Sequence, residues 1–461
     1  MSRRPNVVFV LADDMGYGDL GHFNDGRCSS PHLDRIASEG LCLTQHYSGS
    51  PVCAPARAAL LTGRYPHRTG AIDTLHGRGL DRIALDEVTI ADAFRAAGYR
   101  TGLVGKWHNG ALDSRYHPNA RGFEEFVGFS GGWADYYDYQ LDLNGSTRAS
   151  DGRYLTDVLG DYAVDFIRRH RAEPFFLLLA FNAPHFPMQA PEELVARYLE
   201  RGETLGAALV YAMIEVMDAA IGRLDETLHE LGLADDTILV FTSDNGPYLG
   251  EVAGVSLDRW NHGLRGAKHY VFEGGIRVPA LVRWPAALAR GKVVDGFVHF
   301  TDWLPTLAAA AGAALPEDGR PLDGRDVGAL LGGRPDEVEP VRFWQNNRYT
   351  PRAESNAAMR DGPWKLVRLA IPSTMQVTDA DRLADRALNA NEPGRMAEVD
   401  QSLLPDPGPL EAQKPLLFHL PTDPFEQTDV AAEHPERVRR MSDALDDWFA
   451  EVEAERARIP G

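Results

Sequence analysis

Cysteine is scarce in this sequence, and its pattern excludes a disulfide-based fold. Three cysteines, Cys28, Cys42 and Cys53, occur in 461 residues. A small, odd number in so long a chain is not the framework of a small secreted domain. We therefore expect Cys28 and Cys42 to be unpaired thiols, whereas the role of Cys53 depends on its neighbours.

Positive charge is also scarce. The chain has 47 Lys and Arg against 67 Asp and Glu, which gives a formal net charge of −20. So acidic a surface argues against a nucleic-acid partner. It also argues against long-range attraction of polyanionic substrates, although a local pocket can override the net charge.

Long apolar runs are a third absence. No run approaches the roughly 18 apolar residues of a membrane-spanning helix. The N-terminal MSRRPNVVFVLADD has neither the apolar segment nor the small-residue cleavage site of a leader. These absences predict a cytoplasmic protein without a membrane partner. Internal repeats, a Walker loop, zinc-ligand spacing and heptads are missing as well, which excludes the corresponding protein classes.

What the chain does have is the composition of a large globular protein. Its hydrophobic content is 44% and its charged content is 25%, both ordinary for globular domains. Because 461 residues exceed one ordinary core, we expect one large α/β domain and a smaller second domain.

The most informative stretch runs from Ser50 to Gly63 and reads SPVCAPARAALLTG. Pro55 suits the first turn of a helix, and the alanines and leucines after it favour a helix that ends at the glycine. Leu41 to Tyr47 predicts a strand that leads into this stretch. Cys53 is thereby placed at a helix N-terminus, which favours anions. The simpler alternative is a small buried thiol.

Oxygen-bearing side chains follow two of the predicted buried strands, the apolar runs Asn6 to Leu11 and Thr237 to Thr242. In open α/β sheets ligands bind beyond the carboxyl ends of the strands, and adjacent carboxylates there are costly unless a cation neutralises them. Oxygen donors suit Ca²⁺ or Mg²⁺ and not zinc. The alternative is a solvated acidic turn. The side chains are Asp13 and Asp14 after the first run, and Asp244 and Asn245 after the second.

Three further stretches carry cations or imidazoles. GYRTGLVGKWH ends with Lys106 and His108, which share one face of an extended segment. The apolar run Phe175 to Phe181 is followed by His185 in NAPHFP, where prolines fix the backbone. LRGAK, followed by FEGGIRVP, carries Lys268. Taken singly, each of these residues has a structural alternative, a surface lysine or a core histidine.

Together these stretches resemble the motifs of the type I sulfatases, a family of the alkaline phosphatase superfamily. Most of residues 5–310 take part in the resemblance, and Ala56 stands where many relatives have Ser. The matching elements are Asp-Asp-x-Gly-x-x-Asp, Cys-x-Pro-x-Arg with its Leu-Leu-Thr-Gly tail, Gly-Tyr-x-Thr-x-x-x-Gly-Lys-Trp-His, Pro-His-x-Pro, and Arg-Gly-x-Lys followed by Glu-Gly-Gly-Ile-Arg-Val-Pro.

The resemblance implies a sulfuric ester hydrolase, arylsulfatase-like, whose Cys53 is oxidised to formylglycine by a formylglycine-generating enzyme. The hydrated aldehyde is the implied nucleophile. The family usually holds Ca²⁺, with Mg²⁺ or Mn²⁺ as alternatives, and Asp19 also fits its metal motif. The implied metal ligands are Asp13, Asp14, Cys53, Asp244 and Asn245.

The resemblance also implies the catalytic roles. Arg57, Lys106 and Lys268 neutralise the sulfate oxygens. His185 protonates the leaving alcohol, and His108 removes a proton from the remaining hydroxyl so that sulfate departs.

The implied fold is a large mixed, mostly parallel sheet flanked by helices, residues 1–335, with a smaller C-terminal α+β domain, residues 336–461. The substrate would be a small organic sulfate ester. We expect its alcohol to be chosen by the loop Trp133 to Tyr139, if it is not merely a packed loop, and by residues 371–413. The sequence leaves the oligomeric state open, a homo-oligomer included.

Two alternatives stay open from the sequence. A phosphonate monoester or phosphodiester hydrolase of the same superfamily would use the same motifs, because sulfate and phosphate monoanions share a shape. A non-catalytic cation-binding protein would keep the motifs while Cys53 is never oxidised.

Overall fold

The principal strands occur where the sequence has continuous apolar runs. The computed structural model describes residues 4–315, 319–389, 404–411 and 413–459, so parts of the predicted domain boundary (316–318) and of the segment 371–413 (390–403 and 412) lie outside the described residues. The strands are β1 (Asn6–Ala12), β2 (Leu41–Leu43), β3 (His46–Tyr47), β4 (Arg100–Lys106), β5 (Glu125–Phe129), β6 (Gln140–Leu143), β7 (Ser146–Ala149), β8 (Phe175–Ala180), β9 (Thr237–Ser243), β10 (Glu251–Val252), β11 (Val255–Ser256), β12 (Ala280–Arg283), β13 (Lys292–Val294), β14 (Val298–His299), β15 (Arg342–Gln345), β16 (Ala357–Asp361), β17 (Trp364–Arg368) and β18 (Leu416–His419).

Helices connect most of these strands, and α3, α8 and α10 are single turns. The helices are α1 (Pro31–Glu39), α2 (Cys53–Thr62), α3 (Pro66–Thr69), α4 (Ile90–Ala96), α5 (Leu155–His170), α6 (Glu192–Glu200), α7 (Leu205–Glu230), α8 (Glu273–Ile276), α9 (Trp303–Ala311), α10 (Gly328–Leu331), α11 (Asp379–Asn389) and α12 (Pro435–Arg456).

The large sheet has the strand order β13-β2-β12-β9-β1-β8-β4-β5-β6-β7. Its centre is parallel: β1 pairs with β8 and β9, and β4 pairs with β8 and β5. Antiparallel strands flank this centre, β12 beside β9 and the hairpin strands β6 and β7 beyond β5. The prediction of a mixed, mostly parallel sheet flanked by helices is confirmed.

Alternate residues of β1 pack on opposite faces of the large sheet. Val8 and Val10 belong to the core formed with α1, α5 and α7, whereas Val7 and Phe9 belong to the core formed with α2, α4 and α9. A strand covered on both faces needs an apolar side chain at every position. This is why β1 appears in the sequence as an unbroken apolar run.

The parallel strands bring distant parts of the chain to one edge of the sheet. β1 and β9 stay in register to their last residues, Ala12 and Ser243, so that Asp13 and Asp244 leave neighbouring strands at the same level. The backbone N–H of Asp244 donates to the carbonyl of Ala12 at 3.1 Å. β4 ends at Lys106 beside β8. Ligand sites in open α/β sheets form at this carboxyl edge.

A second, antiparallel sheet has the order β15-β16-β17-β18. One of its faces packs on α12 through Met441, Leu445 and Trp448, and on Tyr65, which follows α2. The C-terminal part of the chain is therefore a small α+β unit docked against the large sheet.

A buried ion cluster joins the two sheets. Lys365 Nζ of β17 lies 2.8 Å from Glu273 Oε1 at the start of α8 and 2.9 Å from Glu426 Oε1. Tyr47 donates to Glu273 Oε2 at 2.6 Å. All four side chains are buried. The cluster fixes the position of α8, which follows the loop that carries Lys268.

The stretch from Leu41 to Tyr47 does not form the single strand that was predicted. β2 joins the large sheet, whereas β3 pairs with β14 in a separate two-stranded sheet. Between them, the side chains of Thr44 and Gln45 donate to Asp295 Oδ1 at 2.5 and 3.1 Å. These polar contacts give the two residues partners outside either ladder, and the chain changes sheets there.

Helix α7 is long and apolar enough to cross a membrane by length and composition, a feature that the sequence analysis overlooked. However, 78% of its most apolar window is buried inside the protein, and Met213 and Met217 are fully buried. A core helix passes the same test of length and composition, so α7 is weak evidence for a membrane span.

We expect Glu426 to make the stability of the fold depend on pH. Burial raises the pKa of Glu426 from 4.5 to about 7 although Lys365 opposes the shift. Because the folded state binds the proton of Glu426 more tightly than the unfolded chain does, protonated Glu426 contributes stability that is fully present below about pH 4.5. This contribution is lost as the pH rises through about 7. Relative to the parent, Glu426→Gln should therefore gain on the order of 1–2 kcal/mol of unfolding free energy between about pH 5 and pH 8. Urea unfolding at both pH values measures this difference.

The matched control for this test is Glu251→Gln, because Glu251 is exposed. Its unfolding free energy should follow that of the parent at both pH values. If the unfolding free energies of Glu426→Gln and the parent changed by the same amount between about pH 5 and pH 8, the expectation would be contradicted.

Candidate active site

Cys53 is the first residue of α2 and is 2% exposed. Val52 before it is extended, and Gly63 ends the helix in the left-handed conformation with φ 68°, as the sequence predicted. The sulfur of Cys53, an oxygen of Asp13, an oxygen of Asp14 and a ring nitrogen of His185 all lie within 4.8 Å of one another. The start of α2 therefore lies beside a compact group of potential ligand atoms.

Each carboxylate of this edge is paired with a cation from another part of the chain. Lys106 Nζ donates to Asp13 Oδ2 at 2.7 Å, and Lys268 Nζ lies 2.6 Å from Asp14 Oδ1. Arg57 donates twice to Asp244 Oδ2, from Nε at 3.0 Å and from Nη2 at 2.8 Å. All of these side chains are buried. Buried charges require such pairing, because an isolated charge loses its hydration.

The carboxylate of Asp13 is only partly compensated. Burial raises the pKa of Asp13 from 3.8 to about 7, and the neighbouring Asp244 and Asp14 add to the increase while Lys106 opposes it. Its Oδ1 has no hydrogen-bond partner, and Arg57 Nη2 is 4.0 Å away from it. A further positive charge at this oxygen would favour the ionised form.

Asp14 is the opposite case. Burial disfavours its charge, but Lys268 and then His185 outweigh burial and lower the pKa of Asp14. Asn245 Nδ2 also donates to Asp14 Oδ1 at 2.7 Å. Asp14 has a φ of 64°, a left-handed conformation that Asp tolerates better than most residues. Asp14 is therefore held ionised in a fixed orientation.

His108 lies beyond the end of β4 and not on its extended face. Its φ is 60°, so the expectation that Lys106 and His108 share one face of a strand is wrong. Burial, followed by the charge of Lys106, lowers the pKa of His108 well below its usual range. Nε2 of His108 is 3.4 Å from the carbonyl oxygen of Thr74, and its Nδ1 has no partner. A neutral, buried imidazole of this kind can accept a proton.

His185 occupies the turn after β8, between two proline peptide bonds that are cis. Its Nδ1 lies 2.9 Å from the carbonyl oxygen of Phe186, and its Nε2 lies 3.7 Å from Asp14 Oδ2. A carbonyl oxygen only accepts, so Nδ1 carries a hydrogen and Nε2 faces the carboxylate. Its ring is thereby oriented toward the cluster.

The donor set fits a hard divalent cation. Asp13 Oδ1 and Asn245 Oδ1 are buried oxygens without a hydrogen-bond partner, and both belong to the predicted ligand set. Carboxylate and amide oxygens are the ligands that Ca²⁺ and Mg²⁺ prefer. Asp19 is not part of this set, because Arg259 binds it through two hydrogen bonds of 2.7 Å.

The structure brings all of the predicted site residues into this one cluster at the carboxyl edge of the sheet. Six separate stretches of sequence supply them. They are Asp13, Asp14, Cys53, Arg57, Lys106, His108, His185, Asp244, Asn245 and Lys268.

The sequence analysis missed a third imidazole, His76. The ring of His76 lies 4.6 Å from that of His108, centroid to centroid. Nδ1 of His76 is 2.8 Å from Asp81 Oδ2, and its side chain is fully buried. His76 belongs to none of the stretches with strand or turn patterns, so only three-dimensional proximity to His108 identifies it.

Comparison with known proteins identifies the family. The model of the family described as Sulfatase matches residues 5–313. Mouse steryl-sulfatase is 32% identical over 99% of this chain and 83% of its own length. Human arylsulfatase A is 34% identical over 88% of this chain and 83% of its own length. The chain belongs to the sulfatase family, and the protein is a sulfuric ester hydrolase that acts on sulfate esters.

A solved structure gives the same result. Ps i-CgsB in complex with k-i-k-neocarrahexaose has a TM-score of 0.80 and 29% identity, and covers 97% of this chain and 93% of that one. Membership of the family implies a metal and a formylglycine-type modification. The phosphonate or phosphodiester hydrolase alternative is not favoured, because the relatives are sulfatases.

The prediction of a cytoplasmic location is wrong in the light of these relatives. Steryl-sulfatases and arylsulfatases are membrane-bound, lysosomal or secretory enzymes. The prediction rested on missing apolar segments, and such an absence does not determine a compartment.

We expect Arg57→Leu to destabilise the protein strongly, because it leaves Asp244 buried beside Asp14 without its paired cation. The loss of unfolding free energy should be about 3–5 kcal/mol, measured by urea unfolding. Arg115→Leu is the matched control, since Arg115 pairs with Asp113 on the surface and is 65% exposed. That variant should lose at most about 1 kcal/mol. Equal stability of the two variants would refute the importance of the buried pair.

Proposed function

We propose that the protein hydrolyses organic sulfate monoesters with formylglycine formed from Cys53 and with Ca²⁺ as its metal. The grouping of Cys53, Asp13, Asp14 and His185 within 4.8 Å at a helix start carries the proposal. The modified side chain supplies one hydroxyl for attack on sulfur and a second for release of sulfate, and the metal supplies the charge that makes the attacking hydroxyl acidic. Binding of the sulfate and the proton transfers depend on the side chains that surround position 53.

We assign Asp13, Asp14, Asp244, Asn245 and position 53 as the metal ligands. The unpartnered oxygens of Asp13 and Asn245 support this assignment. The all-oxygen side-chain donors favour Ca²⁺, with Mg²⁺ or Mn²⁺ as the alternatives.

Three cations orient the sulfate. Arg57, Lys106 and Lys268 pair with Asp244, Asp13 and Asp14, the carboxylates that we assign to the metal with position 53, so we expect a sulfate bound at position 53 to meet all three cations. Their charges are held in place by the paired carboxylates before the substrate arrives. Such preorganised charge stabilises the negative oxygens that develop during transfer.

The two histidines divide the proton transfers between them. Nε2 of His185 lies 3.7 Å from Asp14 Oδ2 in the cluster, which places this ring nitrogen where it can donate a proton to the departing alkoxide. His108 lies next to Lys106, and burial and the neighbouring cations lower the pKa of His108, which keeps it neutral and ready to accept a proton. The environments therefore support an acid role for His185 and a base role for His108.

Maturation requires an enzyme that oxidises Cys53. Since the side chain is 2% exposed, we expect the formylglycine-generating enzyme to reach it before the chain has folded.

We also propose residues 1–335 and 336–461 as the two domains, because the large sheet ends before this division and the small sheet begins at Arg342. The relatives' names mention a sterol, aryl groups and a neocarrahexaose, which are the candidate alcohols.

The decisive experiment is replacement of Cys53. We expect Cys53→Ala and Cys53→Ser to lose turnover of 4-nitrophenyl sulfate, because neither side chain can supply two hydroxyls on one carbon. Mass spectrometry of the peptide that contains position 53 should show, for the parent, a mass lower by the difference between H₂S and O. An intact thiol in an active parent, or parental activity of either variant, would overturn the proposal.

Cys42→Ala serves as the matched control, because Cys42 is buried but lies in β2, away from the cluster. It should keep the aldehyde at position 53 and the activity. The non-catalytic alternative predicts instead a parent that carries an unmodified thiol and hydrolyses no sulfate ester.

Removal of the metal should lower stability as well as activity. A cation that binds only the folded state adds about 2.7 kcal/mol at a hundredfold excess over its Kd, so the Tm of chelator-treated protein should rise with added Ca²⁺. Asn245→Ala removes one neutral ligand and should require higher Ca²⁺ for the same rise. Gln376→Ala, at an exposed amide, should behave as the parent. A Tm that is insensitive to Ca²⁺, Mg²⁺ and Mn²⁺ would exclude the site.

A further inference from the structure

Helix α11 lies over the active-site cluster and presents one polar face to it. Asp381, Asp385 and Asn389 are spaced four residues apart, so they occupy the same side of the helix. All three contact loops of the large sheet's carboxyl edge. The helix belongs to the segment that we expected to shape the pocket.

The two ends of this face anchor the helix. Asp381 Oδ1 accepts from Arg78 Nε at 2.7 Å, and Asp381 Oδ2 accepts from Tyr349 at 2.6 Å. Asn389 Oδ1 accepts from the backbone N–H of Trp133 at 3.1 Å. Both anchors are buried. The position of the middle residue, Asp385, is therefore set by contacts on either side of it.

The side chain of Asp385 has fewer hydrogen-bond partners than those of Asp381 and Asn389 on this face. Its side chain is 33% exposed, and its Oδ1 lies 3.5 Å from Nε2 of His76, which has no hydrogen-bond partner. Asp81 holds the other nitrogen of His76, and the ring of His76 lies against that of His108. The carboxylate of Asp385 is thus one imidazole away from the proposed catalytic base and still open to solvent.

A guanidinium faces the same opening. Arg348 donates to Asp73 and to Thr74 Oγ1, and its Nη2 is 3.5 Å from Nδ1 of His269, the neighbour of Lys268. Burial raises the pKa of Asp385, whereas His76 and then Arg348 lower it, so both basic groups act on this carboxylate. This side of the entrance is charged and rich in hydrogen-bonding groups.

The other side of the entrance is aromatic. The ring of Trp133 lies 5.8 Å from that of Phe186, which follows His185. Gly132 is close enough that a Cβ there would lie 2.9 Å from the ring of His108, so this loop passes directly over the base. A half-exposed aromatic ring opposite a carboxylate and a guanidinium can take the apolar face of a ring whose edge carries hydroxyls.

We propose that Asp385 is a specificity-determining residue whose carboxylate accepts a hydrogen bond from a hydroxyl of the leaving alcohol, and that the substrates are sulfate esters of polyhydroxylated, sugar-like alcohols. This inference rests on the proposed sulfatase function. A site that holds a charged acceptor binds an alcohol without a matching hydroxyl poorly, because the carboxylate then loses water without gaining a donor. A sterol or a simple aryl group offers no such donor beside the ester.

The test compares two kinds of substrate on matured enzyme. Free sulfate is measured with glucose 6-sulfate, galactose 4-sulfate and 4-nitrophenyl sulfate, and kcat/KM is determined for each. The parent should hydrolyse at least one of the sugar sulfates. In Asp385→Asn the ratio of sugar to aryl kcat/KM should fall about 10- to 100-fold, mainly through KM, since the neutral amide oxygen is a weaker acceptor than the carboxylate.

Asp379→Asn is the matched control, because it removes the same charge from an exposed position of the same helix. It should leave the substrate ratio unchanged. A parent that hydrolyses only the aryl ester would overturn the inference and leave the sulfatase function intact. Equal losses on both substrates in Asp385→Asn, with a lowered Tm, would overturn it by assigning Asp385 to helix anchoring. An unchanged ratio of sugar to aryl kcat/KM in Asp385→Asn would also overturn the inference. A matured parent that hydrolyses none of the esters would refute both this inference and the proposed sulfatase function.

Discussion

The structure depends on the neutralisation of three buried carboxylates at one edge of the large sheet. Asp13, Asp14 and Asp244 approach one another because neighbouring parallel strands end at the same level. Their mutual repulsion, together with the loss of hydration on burial, opposes folding. Lysine and arginine side chains from three other segments offset it. The same cations then have the positions needed to bind an anion.

The sequence was sufficient for the main strands and for the central residues of the cluster. β1, β8 and β9 are covered on both faces, and strands of this kind are recognisable in the sequence as unbroken apolar runs. The residues that follow such runs must lie at the carboxyl edge, whatever the details of the connections. The cysteine at the start of α2 was predicted equally well, because proline and glycine mark both ends of that helix.

Features that depend on long-range polar contacts have no local pattern in the sequence. The division between β2 and β3 depends on contacts of Thr44 and Gln45 with Asp295, some 250 residues away in the chain. His76 lies in a segment without periodicity and Asp385 on the polar face of α11, and only the tertiary structure brings them together. The left-handed backbone of His108 likewise has no local pattern in the sequence, and its ring lies against Gly132 from another loop. Long-range polar contacts are therefore the part of a site that propensities and periodicity miss.

The ion cluster of Lys365, Glu273 and Glu426 has a consequence for comparing such sequences. Glu273 is five residues after Lys268, and the small C-terminal sheet, through Lys365, fixes it. A natural homologue that lost this sheet would retain every motif of the large domain, yet the loop that carries Lys268, which we propose binds sulfate, would be unsupported. Motif searches alone would count such a shortened protein as an intact enzyme, whereas the architecture identifies it as a degenerate one.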